Sequence, residues 1–169
     1  MRLMLSSWFT MLSLAVFAQD GFLNDFSKKW QSAMEYTLEF AEAMPARLYD
    51  YRPTEDQMPF HRQLTHIAGN MIWLSTAFLG GTDFEGELHN LPESKEKVRD
   101  HLRQAFEYTA RVTANFDPAR LDDTVEFVDG PLTKRQIFLL LNDHVTHHRG
   151  QLVVYLRLND IKPPAFRGW

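Results

Sequence analysis

The 169-residue chain contains no cysteine. This absence excludes disulfide bonds, thiolate metal ligands and a cysteine nucleophile. Any metal must therefore be held by histidine and carboxylate side chains, which suit zinc, nickel, iron or manganese better than copper(I). The sequence also has no basic block of about five or six residues, and its net charge is −4. These two features argue against a nucleic-acid-binding protein. The length fits one domain with a substantial core.

The N-terminal segment has the pattern of a secretory signal peptide. A positive charge at Arg2 precedes a mostly apolar run over residues 3–17, and small residues stand three and one positions before Gln19. We predict a signal peptide at residues 1–18 and an exported, periplasmic or secreted, mature domain at residues 19–169. The apolar run is shorter than the roughly 20 residues that span a bilayer, so we predict no membrane span in the mature chain. A short membrane anchor or an amphipathic first helix is the alternative.

Apolar residues at helical spacing predict an all-α protein with four helices. The predicted ranges are 22–43, 60–79, 91–115 and 134–158. Pro45 ends the first helix, Gly80 ends the second, and Thr133 with Gln136 forms a capping box at the start of the fourth. Residues 124–128 are either a short strand or an extended loop. Four helices of this length predict a four-helix bundle.

A pair of histidines in the fourth predicted helix is the most informative pattern. His144 and His148 are four residues apart, so their imidazoles lie on one face of the helix, toward its apolar side. His147 lies nearer the polar flank. Buried imidazoles need partners for their nitrogens, and either a divalent cation or other protein groups can supply them. A zinc-protease motif is excluded because Val145, not glutamate, follows His144.

A mononuclear site needs a third ligand, and His66 inside the second predicted helix is our candidate. We predict that Asn70, His147 and Gln151 support the ligands or orient a substrate. Arg149 is predicted either to bind an anionic group or to form an ordinary surface ion pair. The other histidines, which we predict to be exposed, are His61, His89 and His101.

Several segments together resemble the DinB family of bacterial metal-binding bundles. They are Met44-Pro45, Tyr49-x-Tyr51-Arg52-Pro53, Leu64-Thr65-His66-Ile67-Ala68, the run from His144 to Leu152, Tyr155-Leu156-Arg157 and Ile161-Lys162-Pro163-Pro164. The resemblance covers about residues 22–169. It implies an up-down-down-up four-helix bundle, often dimeric, that binds a divalent metal, commonly zinc or nickel, through three histidines. By position these are His66, His144 and His148.

The resemblance also bears on function, because members of the family include transferases and isomerases that use low-molecular-weight thiols. It implies a metal-dependent enzyme that acts on a small molecule by hydrolysis or thiol transfer, and a homodimer. Three protein ligands with one open position are typical of catalytic metal sites rather than structural ones. The alternative is a non-catalytic bundle in which the metal or a ligand only stabilises the fold.

Overall fold

Four α-helices make up most of the described chain. A computed structural model describes the backbone at residues 4–82, 84–86, 91 and 93–169, and the side chains from residue 21 onward within those ranges. The helices are α1 (Met4–Ala43), α2 (Phe60–Phe78), α3 (Lys95–Ala114) and α4 (Lys134–Arg157). Short 3₁₀ helices lie at Ala46–Leu48 and Pro118–Arg120, and a two-stranded ribbon pairs β1 (Thr124–Val125) with β2 (Leu132–Thr133). The prediction of an all-α, four-helix protein is confirmed.

The helix ends follow the local signals in the sequence. Gly80 takes a φ of 80° just after α2, a left-handed conformation that glycine adopts without steric cost. Thr133 and Gln136 form the predicted capping box at the start of α4. The third helix begins at Lys95 rather than near residue 91, because Ser94 takes the extended backbone of an N-cap residue, with φ −71° and ψ 145°.

The first helix begins earlier than the sequence pattern predicts. Its backbone is helical from Met4, whereas we expected a start near Phe22. The side chains of residues 1–20 lie outside the described residues, so the signal peptide at residues 1–18 and its cleavage before Gln19 stay predictions. Among the helices of the described part of the chain, none combines the length and apolarity that crossing a bilayer requires.

Contacts between helices give their relative directions. Phe26 packs edge-on against Phe138, with ring centroids 4.9 Å apart, and eleven residues further along both helices Arg149 donates a 3.5 Å hydrogen bond to Thr37. Helices α1 and α4 therefore run in the same direction.

The other two helices run opposite to this pair. The Trp30 indole of α1 donates to the Phe106 carbonyl of α3, and Glu42, later in α1, pairs with Arg99, earlier in α3. Helix α3 is therefore antiparallel to α1. Gln63 of α2 contacts Gln151 of α4, and His66, later in α2, contacts His144, earlier in α4. Helix α2 is therefore antiparallel to α4. The bundle thus has an up-down-down-up order.

An aromatic cluster lies at the end of the bundle where α4 begins. Phe138 has no exposed surface, and its ring lies 6.1 Å from that of Phe22, 4.9 Å from that of Phe26 and 5.1 Å from that of Phe116. These rings come from α1, from the segment that follows α3, and from α4. The cluster therefore ties three parts of the chain together.

Two histidines that we predicted to be exposed are buried. His61 is 6% exposed, because the segment before α2 folds over it: its Nδ1 lies 3.1 Å from the Tyr49 carbonyl and 3.2 Å from the Asp50 carboxylate. His101 is 5% exposed, and its ring meets that of Phe84 edge-on. The surface prediction was wrong for both, since loop segments cover them. His89 lies outside the described residues.

Candidate metal centre

Three histidines from two antiparallel helices meet at one point in the structure. His66 comes from α2, and His144 and His148 come from α4. Each offers a ring nitrogen, and these three atoms lie within 4.8 Å of one another. The Nε2 atoms of His66 and His144 are 3.1 Å apart. Zn–N bonds of about 2.0–2.1 Å put the nitrogens of a tetrahedral site roughly 3.3 Å apart, so the histidines lie close enough to converge on one ion.

The helical phase of α4 decides which of its histidines join this group. His148 is buried, His144 is half-buried and His147 is exposed. Since α4 packs against α2, its residues 144 and 148 share the face that meets His66, while His147 turns toward solvent. The structure therefore groups the three residues that we proposed as ligands and leaves His147 outside them.

A buried glutamine fixes the orientation of His148. The Gln63 Oε1 atom accepts a 2.7 Å hydrogen bond from Nδ1 of His148, so the ring proton is on Nδ1 and the lone pair is on Nε2. The Gln63 amide group donates to Gln151 Oε1 at 2.8 Å, and the Gln151 amide group donates to Nε2 of His147 at 2.8 Å. Gln151 thus reaches His148 through Gln63, and the His147 ring also packs edge-on against that of His148, with centroids 5.0 Å apart.

Sequence reasoning missed Gln63, although a signal was present. It lies three residues before His66, so the two share a face of α2, and it is a polar residue inside an apolar helix. The role of Gln63 becomes visible only from its hydrogen bond to His148 on α4. A buried amide needs hydrogen-bond partners for both its oxygen and its nitrogen.

The polar groups of the cluster are not all satisfied by protein partners. Within the described residues, His144 Nδ1 and Asn70 Oδ1 are buried and have no hydrogen-bond partner. Asn70 lies one turn after His66 on α2. Buried polar atoms without protein partners are uncommon, and an ordered water or a bound group can satisfy them. The donor set of three imidazoles suits zinc, nickel or another first-row divalent ion, so the residues fit such a cation.

Burial also sets the charge state of the cluster. Desolvation, with smaller contributions from the neighbouring histidines, lowers the pKa of His144 to about 3 and that of His148 to about 4. Desolvation and the nearby Arg62 lower the pKa of His66. All three rings are therefore neutral at pH 7. Metal ligation requires neutral imidazoles, so these rings have the charge state that a metal needs at that pH.

Arg149 does not occupy the position that we predicted for it. Its side chain is only 6% exposed and packs between α1 and α4, with the guanidinium 4.7 Å from the centre of the Tyr36 ring. It donates weak hydrogen bonds to the hydroxyls of Thr37, at 3.5 Å, and Thr146, at 3.4 Å. Among the described residues, no carboxylate pairs with it. The surface ion-pair prediction was wrong, because this face of α4 meets α1.

Comparison with known proteins identifies relatives of the whole bundle. The sequence model of the DinB family matches residues 18–168. The uncharacterized protein YjoA of Bacillus subtilis (strain 168) is 24% identical over 138 residues, which are 79% of this chain and 88% of YjoA.

Solved structures show the same fold. A DinB-like protein from Bacillus cereus ATCC 10987 superposes with a TM-score of 0.73 at 21% identity, over 84% of this chain and 95% of that one. The DinB-like structure of B. subtilis YjoA gives 0.70 at 20% identity, over 84% and 96%. A conserved protein from Enterococcus faecalis gives 0.64 at 17% identity, over 80% and 95%. At these identities the likeness shows the fold alone.

Proposed function

Because this chain belongs to the DinB family, we propose that it is a metal-dependent enzyme that acts on a small molecule. His66, His144 and His148 hold one divalent ion, zinc or nickel being the first choices for three imidazoles. The observation that carries this proposal is the convergence of their three ring nitrogens within 4.8 Å between α2 and α4. The reaction classes that we propose are hydrolysis and thiol transfer.

The protein groups around the cluster have separate tasks in this proposal. Gln63 accepts the Nδ1 proton of His148 and so leaves the lone pair of the His148 Nε2 atom free for a metal. The antiparallel packing of α2 on α4 brings His66 beside His144 and His148. His66 and His144 are only half-buried, so a small molecule has access to them. A bound divalent ion would supply Lewis-acid activation of an oxygen or sulfur atom of the substrate.

Metal content and turnover test the proposal together. Protein loaded with zinc or nickel and then dialysed is expected to retain one ion per chain by elemental analysis. The loaded protein is then screened against thiol-conjugation and hydrolysis substrates beside an EDTA-treated sample. Stoichiometric metal without turnover would favour the alternative of a non-catalytic metal-binding bundle. Absence of stoichiometric metal under every loading condition would overturn the proposal.

Replacement of Gln63 by leucine is expected to weaken metal binding about 10- to 100-fold, because outer hydrogen-bond partners of ligating histidines have effects of that size. Leucine cannot accept the proton of His148 Nδ1, so the ring loses its fixed tautomer and orientation. The dissociation constant for zinc, measured by competition with a chromophoric chelator, reports the loss.

Two further variants distinguish the hydrogen-bonding role of Gln63 from a role in packing. Gln63→Glu keeps an acceptor for His148 and is expected to retain most of the affinity. Gln104→Leu, a change at an exposed position of α3, should leave the affinity unchanged. An unaltered dissociation constant in a folded Gln63→Leu protein would rule out the positioning role.

We also propose that the protein is exported after removal of residues 1–18, and that it forms a homodimer as the family resemblance implies. N-terminal sequencing of the protein from the periplasm or medium of a bacterial host is expected to begin at Gln19. Mature protein that retains Met1 would disprove the cleavage. Light scattering of the purified protein gives the mass that tests the dimer.

A further inference from the structure

A groove of about 430 Å³ runs along α2 beside the histidine cluster. Met58, Arg62, His66, Asn70, Trp73 and Leu91 line it. Four of these residues lie on α2 at spacings of four, four and three, so they form one stripe on the helix surface. His66 is in the middle of this stripe. The groove therefore passes directly over one of the three histidines of the candidate metal centre.

One end of the groove is positively charged. Arg62 lies one helical turn before His66, about 6 Å along the axis at 1.5 Å per residue. Its side chain is exposed, and no described carboxylate lies within ion-pair distance of it. Among the described residues of the lining, it is also the one arginine, lysine or carboxylate residue. The groove thus offers a free guanidinium fork, which matches the two oxygens of a carboxylate.

The other end of the groove is apolar. Trp73 lies seven residues after His66, about 10 Å along the axis. Its indole is 43% exposed although the rings of Phe78 and Phe127 pack against it at 5.4 and 5.7 Å. These contacts hold the indole in place and leave a large apolar surface open. An immobilised aromatic ring of this kind binds apolar ligands at a low cost in conformational entropy.

A polar residue lies between the two ends. Asn70, one turn after His66, lines the groove there, and a side-chain amide can exchange hydrogen bonds with a polar group of a bound molecule.

We infer that this groove binds a small organic carboxylate, with the carboxylate on Arg62 and an aliphatic or aromatic body against Trp73. The middle of such a molecule lies over His66 and beside Asn70. The inference rests on the proposed metal-dependent function for the reaction, since the reaction is assigned to the histidine cluster. It does not rest on that function for binding, because Arg62 and Trp73 lie outside the cluster.

Three probes that share one apolar body test the charge preference: 6-phenylhexanoate, 6-phenylhexanamide and 6-phenylhexylamine. Titration calorimetry on EDTA-treated protein at pH 7.5 prevents the carboxylate from binding through a metal. The carboxylate is expected to bind up to about fivefold more tightly than the amide, the factor that corresponds to an exposed charge pair of about 1 kcal/mol. The amine is expected to bind most weakly.

Substitutions show which residues cause the preference for the carboxylate probe. Arg62→Gln should bring the carboxylate to the affinity of the amide and leave the amide unchanged, whereas Trp73→Ala should weaken all three probes. Arg103→Gln, at an exposed position of α3, is the matched control and should behave as wild type. Equal binding of carboxylate and amide, binding of neither, or an equal loss in the Arg103 variant would overturn the inference.

The two proposals fail in different experiments. Carboxylate preference in a protein that retains no metal would keep the groove and overturn the metal-dependent function. Stoichiometric metal in a protein without carboxylate preference would do the reverse.

Discussion

Replacing His148 by alanine is expected to lower the affinity of the protein for zinc by more than about 100-fold. Removal of a ligand should cost more than removal of its hydrogen-bond partner, which costs about 10- to 100-fold. His148 is also the most buried of the three grouped histidines, so solvent cannot easily supply a replacement at its position. Chelator competition on wild-type and variant proteins measures the two dissociation constants.

His147→Ala is the matched control, because it removes the neighbouring imidazole from the same helix. His147 is exposed, and although its ring packs edge-on against that of His148, it is not one of the three residues whose ring nitrogens converge. Its loss should therefore change the affinity by no more than a few-fold. If the two variants lose the same affinity, the three-histidine grouping is not the metal site.

The largest expected effect on stability belongs to Phe138→Ala. A fully buried phenylalanine replaced by alanine costs about 3–5 kcal/mol, from lost apolar transfer and from the cavity left behind. Three aromatic rings pack on Phe138, so the cavity can close only if separate parts of the chain move together. Urea unfolding followed by circular dichroism gives the free energy of unfolding.

Phe166→Ala removes the same side chain from a position that is 86% exposed. Its effect is expected to stay within about 0.5 kcal/mol, as at most surface positions. A loss at Phe138 as small as the loss at Phe166 would mean that the aromatic cluster does not hold this end of the bundle together.

Local signals were sufficient to predict four helices, the end of α2 and the start of α4, although not the starts of α1 and α3. Gly80 and the capping pair Thr133 and Gln136 act on backbone groups a few residues away, so their effect is readable in one stretch of sequence. The same holds for His144 and His148, whose shared face follows from helical geometry alone. The helix signals and the histidine pair therefore depend on short-range physics, whereas the order of the helices in the bundle was implied by the family resemblance.

The features that the sequence did not predict depend on contacts between segments that are far apart in the chain. Gln63 becomes informative only when α4 brings His148 to it, 85 residues later. His61 looked exposed because the residues that cover it belong to the segment before α2, whose path no periodicity describes. Arg149 was likewise predicted to bind an anionic group or to form a surface ion pair, because the sequence does not show that its side chain faces α1.

The burial of Arg149 has a consequence for how α1 and α4 align. In the present alignment the Thr37 hydroxyl of α1 accepts from the guanidinium and the Tyr36 ring packs on it. A slip of α1 by one turn would bring Ala33 or Ala41 to the position of Thr37, and neither side chain has an acceptor. Loss of a hydrogen-bond partner is unfavourable for a buried charge, although the Thr146 hydroxyl of α4 would remain. Arg149 thus favours the present register of the parallel helix pair over these two neighbouring ones.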